Sequence, residues 1–282
     1  MKLYMLWDME GVSGLFTREQ AWYWEEGVSE QTAEEGRRLL MADINAAVAA
    51  ALEAGADEVI VCDTHHGGGN IRVPEMLADP RVTYYGRSRL TYPNGRQRWM
   101  PGLDQAVDGF LLPGHHAKAG TPGAFLPHTS SLAWADFRIN DQSVGEIGLE
   151  ACYAGHWEVP LVFVQGDEAA CREAEAQFPG VLTAAVKRAE SAERCSGPDP
   201  EAARRLTAQQ VAETVARLRA GVRPAPYTPR LPMTVSIRMA TAQDAERAAQ
   251  RPGVRRVDDC TVEGRAERQC DVIRWITGTG VE

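Results

Sequence analysis

Leu3-Tyr4-Met5-Leu6-Trp7-Asp8-Met9-Glu10-Gly11 is the stretch on which the reading of the fold turns. Residues 3–7 are an unbroken apolar run, short enough for a strand and patterned for burial on both faces. The run ends on two carboxylates, Asp8 and Glu10. They are two positions apart and therefore face the same side of an extended segment, and Gly11 permits a tight exit. A carboxylate pair at the carboxyl end of a buried strand is where α/β proteins place their sites. Taken alone, the pair reads equally well as a solvent-facing turn that caps a helix.

Working outward, the period changes. Leu39, Leu40, Ile44, Ala47, Val48, Ala51 and Leu52 recur at helical spacing, so a helix is expected over residues 29–54, with Ser29 as N-cap and Gly55 closing its far end. Residues 57–63 return to a short apolar run around Val59, Ile60 and Val61, a second doubly buried strand. Residues 103–112 form another apolar approach, to the polar loop Gly114-His115-His116. A strand over 131–140, a helix over 146–155 entered through Asn140-Asp141 and Gly145, a strand over 159–164 and a helix over 168–177 complete the series.

Strand, loop and helix in repeating order predict an α/β fold: layered, with a mostly parallel central sheet and helices on both faces. Composition shifts to Gly, Pro and Asp between residues 196 and 200. A charged helix over 200–220, a Pro-rich link, a strand over 231–239 and a helix over 242–249 follow. We expect a boundary near residue 190. Residues 1–190 then form the α/β domain that carries the candidate site. Residues 191–282 form a smaller mixed α/β domain whose apolar faces serve its own fold or a subunit interface.

The 282 residues, 44% hydrophobic and 24% charged, are those of an ordinary globular protein, which excludes a disordered or collagen-like chain. Thirty Lys and Arg against 39 Asp and Glu leave a formal charge of −9, which disfavours nonspecific attraction to nucleic acid or an anionic membrane. No run approaches the roughly 20 apolar residues of a membrane span, and the opening lacks the pattern of a secretory signal. The expected compartment is the cytoplasm. Six widely spaced cysteines with no CxxC pair read as reduced structural thiols.

Five of the six histidines, His65, His66, His115, His116 and His128, fall in two strand-end loops and a nearby segment. Imidazoles combined with carboxylates offer the nitrogen and oxygen donors that zinc and other transition metals take. Asp63 is a further ligand or orients a histidine from behind. Glu146, opening a helix, either projects into a cleft or complements the helix N-terminus. His156 reads as a cap or surface residue. His66-Gly67-Gly68-Gly69 resembles a lipase oxyanion loop, but no Gly-x-Ser-x-Gly elbow accompanies it. There is no phosphate-binding loop and no His-Glu-x-x-His helix, and Gly278-Thr279-Gly280 has no helix after it with which to bind a dinucleotide.

The polar blocks resemble, in order, those of the M55 peptidase family of zinc-dependent D-aminopeptidases. They are Met1-Lys2-Leu3-Tyr4-Met5, Asp8-Met9-Glu10-Gly11, Asp63-Thr64-His65, Gly114-His115-His116-Ala117, Thr121-Pro122-Gly123, His128, Asn140-Asp141 and Val144-Gly145-Glu146. The resemblance implies that Asp8 bridges two divalent metal ions, zinc above all. Glu10 and His65 would complete the ligands of one ion, and His116 and Glu146 those of the other. His128 matches the catalytic histidine. Leu6 stands where the family signature has serine, and the interval from His116 to His128 is one residue longer than usual. His66 and His115 fall outside the set.

The implied activity is hydrolysis of short peptides with a free N-terminal amine, D-amino-acid peptides in particular. A homo-oligomer, a decamer, is implied as well. The alternatives are an L-peptide aminopeptidase or another binuclear amidohydrolase, and a structural metal-binding protein without turnover.

Overall fold

The computed structural model describes residues 1–91 and 97–277. The glycine-flanked threonine at 278–280 lies outside them. The apolar opening run forms β1 (Lys2–Trp7), which pairs in parallel with β2 (Glu58–Asp63) on one side and β6 (Gly109–His115) on the other. Beyond β2 lies β3 (Val82–Tyr85); beyond β6 lie β9 (Leu161–Asp167), β10 (Leu182–Ser191) and the antiparallel edge strand β11 (Arg194–Ser196). The order of this seven-stranded sheet is β11-β10-β9-β6-β1-β2-β3. From β1 the chain builds outward through β2 and β3, then returns to the other flank with β6. The switch falls between β1 and β6, where a crevice opens at the carboxyl ends of an α/β sheet.

Alternate residues of β1 explain why the sheet is covered on both faces. Leu3, Met5 and Trp7 pack with Val59 and Val61 against α2 (Glu30–Glu53), which follows the short α1 (Arg18–Ala21), and against α5 (Pro200–Arg219). Tyr4 and Leu6 pack with Phe110 and Leu112 against α3 (Glu146–Gly155) and the small residues of α4 (Glu168–Gln177). Burying both faces of a central strand is what an unbroken apolar run requires. The expected start of α2 is borne out, since Ser29 Oγ accepts from Thr32 N at 3.1 Å. Gly55, at φ +102°, takes the left-handed turn after it.

A second sheet has the order β13-β14-β12-β7-β8 and is antiparallel throughout. Its strands are β7 (Trp134–Ile139), β8 (Gln142–Val144), β12 (Met233–Met239), β13 (Val254–Arg256) and β14 (Thr261–Ala266). Met233, Val235, Ile237 and Met239 face inward, the residues between them outward, and the inner face closes over α3 with Phe137 and Val262. α6 (Ala242–Ala249) lies against β12 to β14. The second sheet thus takes strands from both sides of residue 190, while α5 lies on the parallel sheet.

Asn140-Asp141, expected as the entry to a helix, is instead a hairpin turn between β7 and β8. Both residues have positive φ, 47° and 68°, the geometry of a tight two-residue hairpin. A two-stranded ribbon of β4 (Arg89–Thr91) and β5 (Gln97–Trp99) stands beside the carboxyl ends of β2 and β3. All six cysteines are free. No helix among the described residues is long and apolar enough to cross a membrane.

Candidate metal centre

Three strand ends meet through bare backbone. Asp8 N donates to Pro113 O (3.1 Å), Gly11 N to Gly114 O (2.6 Å) and Thr64 N to Trp7 O (2.9 Å), which ties the exits of β1, β2 and β6 together. No side chain fits in this crossing. A methyl group at Gly11 would fall 2.3 Å from the His115 carbonyl oxygen, one at Gly114 2.1 Å from that of Asp8, and one at Gly166 2.3 Å from His115 again.

On this floor stand the predicted side chains. Asp8, Glu10, His65 and His116 are all buried, at 1–4% exposure; the Glu146 and His128 side chains, at 14% and 16%, open toward the cavity. Asp8 Oδ1 lies 2.7 Å from His65 Nδ1, with Glu10 Oε2 3.1 Å from the same nitrogen. Asp8 Oδ2 points the other way, 3.6 Å from His116 Nε2, and Glu146 Oε1 lies 3.2 Å from that nitrogen. Asp8 therefore belongs to two donor groups, Asp8–Glu10–His65 and Asp8–His116–Glu146, in each of which the donor atoms lie within 4.8 Å of one another. A third group, Glu10, His116 and His128, overlaps both. The structure brings all six predicted residues into one cluster.

The backbone sets which face each imidazole shows to that cluster. His65 Nε2 lies 2.8 Å from Ala21 O, His116 Nδ1 3.0 Å from Ala117 O and His128 Nδ1 2.9 Å from Leu126 O. A carbonyl oxygen only accepts, so each of these nitrogens carries the proton and the other turns toward the carboxylates. In neutral rings, lone pairs then face carboxylate oxygens, an arrangement that calls for a cation between them. Glu10 Oε2 and His116 Nε2 are buried with no hydrogen-bond partner, as donors aimed at a metal ion would be. The residues fit two divalent ions.

The electrostatics agree. Burial pushes the His65 and His116 imidazoles down, yet Glu10 and Asp8 beside His65, and Glu146 beside His116, hold both well above the ordinary range. Burial, reinforced by Glu10, raises Asp8. The side chains alone thus retain positive charge as protons, and metal ions would compete for the same places.

Other groups hold the donors in position. Trp22 Nε1 donates to Glu10 Oε1 at 2.7 Å, and Ser130 N to Glu146 Oε1 at 2.7 Å. The His128 ring stacks on His116 with centroids 4.0 Å apart. Asp63 is no member of the donor groups. Its Oδ2 accepts from Gly69 N and Asn70 N, and its Oδ1 from Asn70 Nδ2, which also donates to His65 O, so it shapes the His65 loop. His115 points away and meets Glu150 at 2.6 Å in the core. His66, at φ 51°, stacks on Trp24 at 4.0 Å and lines the cavity. His156 caps the end of α3.

Sequence reasoning missed Trp22, Trp24, Asn70 and Glu150. The dense aromatic run Trp22-Tyr23-Trp24 was the signal for two of them. Leu6, standing in place of a serine, is buried in the sheet, so that position offers no hydroxyl.

Residues 1–278 match the M55 peptidase family, described as D-aminopeptidase. A D-aminopeptidase of Bacillus subtilis (strain 168) is 35% identical over 255 residues, which cover 90% of this chain and 86% of that protein. A solved structure, described as the Zn-dependent D-aminopeptidase DppA from Bacillus subtilis, a self-compartmentalizing protease, superposes with a TM-score of 0.86 at 32% identity, covering 98% of this chain and 95% of that one. On a family match that spans residues 1–278, and with a relative 35% identical over 90% of this sequence, the chain belongs to the M55 family of D-aminopeptidases.

Proposed function

We propose that this chain, a metal-dependent aminopeptidase, hydrolyses short peptides with a free N-terminal amine and a D-residue first, and does so in the cytoplasm as a homo-oligomer. The observation that carries the reading is the double membership of Asp8, whose two oxygens face two separate histidine–carboxylate groups. We assign Asp8 as the bridge, Glu10 and His65 to one ion, and His116 and Glu146 to the other. Three carboxylates against two divalent ions leave a residual +1, which suits a site that must also take up an anionic oxygen. When bound, the two ions, zinc by likeness to the Bacillus subtilis enzyme, supply Lewis acidity for activating water and polarising the scissile carbonyl.

The chain's own groups do the rest. Ala21 O and Ala117 O lock the two ligand imidazoles in one tautomer, so no reorientation is needed before the reaction. Trp22 holds Glu10 in place and closes that side against water. His128 anchors Nδ1–H on Leu126 O and presents Nε2 to the cavity, 3.6 Å from Glu146 Oε1. From there it carries a proton to the departing amine or donates to the developing oxyanion.

Oligomerisation is supported by the relative described as self-compartmentalizing, and we extend it to the decamer that the resemblance implies. Six free thiols suit a reducing compartment.

Matched D- and L-aminoacyl amides and short peptides, each beside its N-acetylated form, test the activity on protein in which metal analysis counts about two ions per chain. Free-amine D substrates should turn over fastest, and the acetylated ones hardly at all. Equal cleavage of free and acetylated substrates rejects an aminopeptidase in favour of a broader amidohydrolase. An L preference with strong amine dependence rejects only the stereochemistry. Two ions and no turnover would point to a structural metal site.

A further inference from the structure

The cavity that holds the donor cluster has a volume of about 720 Å³, ample for a few residues of peptide, and one part of its wall is basic. Arg87 and Arg89 line it. Elsewhere in the same wall charges cancel: Glu25 accepts from Arg18 Nε and Nη2 at 2.8 and 2.6 Å. Among the described residues neither Arg87 nor Arg89 has a carboxylate within ion-pair distance, and the wall around Arg89 lowers its proton affinity with no acidic neighbour to restore it.

The backbone that carries these two arginines is fixed relative to the donor cluster. The His65 loop touches their segment directly, with Gly69 N donating to Gly86 O at 2.7 Å. A Cβ at Gly68 would lie 2.6 Å from Arg87 Cα, so the two backbones are in contact. Ser88 O accepts from Met100 N, and Arg89 is paired in register with the buried Trp99. The fork of a guanidinium matches a carboxylate in two parallel hydrogen bonds. Two or three extended residues span only about 7–11 Å.

Resting on the aminopeptidase reading, we propose that Arg87 and Arg89 bind the C-terminal carboxylate of the short peptide substrate. The amine end of such a peptide lies at the donor cluster, and its carboxylate end at the arginines.

Kinetics of free-acid and C-terminally amidated di- and tripeptides test this with the wild type, the double variant Arg87→Met/Arg89→Met and the charge-retaining Arg87→Lys/Arg89→Lys. Amidation should raise the wild-type KM at least about tenfold with kcat little changed, the loss expected for one charged hydrogen-bonded contact. The Met variant should show the high KM for both forms, and the Lys variant should recover part of the preference. Acid and amide handled alike by the wild type, or a preference that survives in the Met variant, overturns the proposal. So does an amidated peptide that regains a low KM through a glutamate side chain, since the contact would then be with a side chain. Calorimetric binding of an uncleaved acid–amide pair to metal-loaded protein separates this inference from the activity. A carboxylate preference lost in the Met variant sustains it even without turnover, whereas absent turnover counts against the aminopeptidase reading only.

Discussion

The two sheets of this molecule are built to opposite rules. In the parallel sheet, β1, β6 and β9 are buried on both faces, and their carboxyl ends all point one way. Polar residues just past those ends are therefore gathered into a single crevice. In the antiparallel sheet, β12 alternates buried and exposed residues, and neighbouring strands end at opposite edges. Nothing is gathered there; the sheet's inner face closes over α3, the helix that begins with Glu146. Chemistry follows strand direction, and the second sheet serves as the brace for one donor.

That contrast breaks most visibly at the parallel end. Asp8→Asn should lower turnover at least about a hundredfold and reduce metal content, because a shared ligand is worth more than the outer partners whose loss typically costs 10–100-fold. His128→Ala should lower turnover by about 10²–10⁴-fold yet keep both ions. Measuring metal content and kcat on the same folded samples separates a bridge from a proton carrier. An Asp8→Asn enzyme with both ions and ordinary turnover would refute the bridge.

Ile237→Ala acts on the brace instead. Ile237 is 1% exposed on β12, so its truncation should cost about 2–5 kcal/mol in urea unfolding. Activity per folded molecule at 25 °C should hold. A large loss of kcat in the folded enzyme would mean that the brace tunes the chemistry.

A smaller effect sharpens the comparison from inside the parallel sheet. Lys187 on β10 is buried, and its ammonium donates to Val12 O and Leu15 O, pinning the chain that leaves Glu10. Desolvation pulls its pKa down to about 8 from the ordinary 10.5. Between those values the unfolded chain binds the extra proton, so stability should rise with pH across that window. Relative to Lys187→Met, the wild type should gain up to about 1.4 kcal/mol per pH unit there. A flat difference would remove the desolvated ammonium from the account. Smallest of all, Arg255→Ala, which breaks an exposed pair with Glu263 on the antiparallel sheet, should shift stability by less than about 1 kcal/mol.

Much of the parallel half was legible because its information is local. An apolar run ending in Asp8 and Glu10, histidines beside glycines, and Glu146 opening a helix each occupy a few consecutive residues. The rest depends on partners far apart in the chain. β7, with β8 on its far side, joins β12 across some ninety residues, as Ile139 opposite Val235 illustrates, and no property of either segment announces the other. β10 was invisible because Lys187, Arg188 and Glu190 interrupt its apolar pattern, and only the burial of Lys187 against the Val12 loop explains a charge inside a strand. The aromatic and basic walls of the cavity come from Trp22 and Trp24 and from Arg87 and Arg89, which match no functional motif and meet only when β1, β2 and β3 pair.

The three glycines beneath the donors bear on how such a site can be altered. Since the nearest neighbours of Gly11, Gly114 and Gly166 are main-chain atoms, any substitution there displaces the strands themselves. The floor therefore accepts no adjustment, and an engineer who wants a roomier or narrower pocket gains nothing by working from below. Selectivity is more readily retuned from the rim, through the side chains of Trp24, Arg87, Arg89 and Leu132, which line the cavity without belonging to the donor groups. In such an architecture the reaction and the choice of substrate are separable design problems.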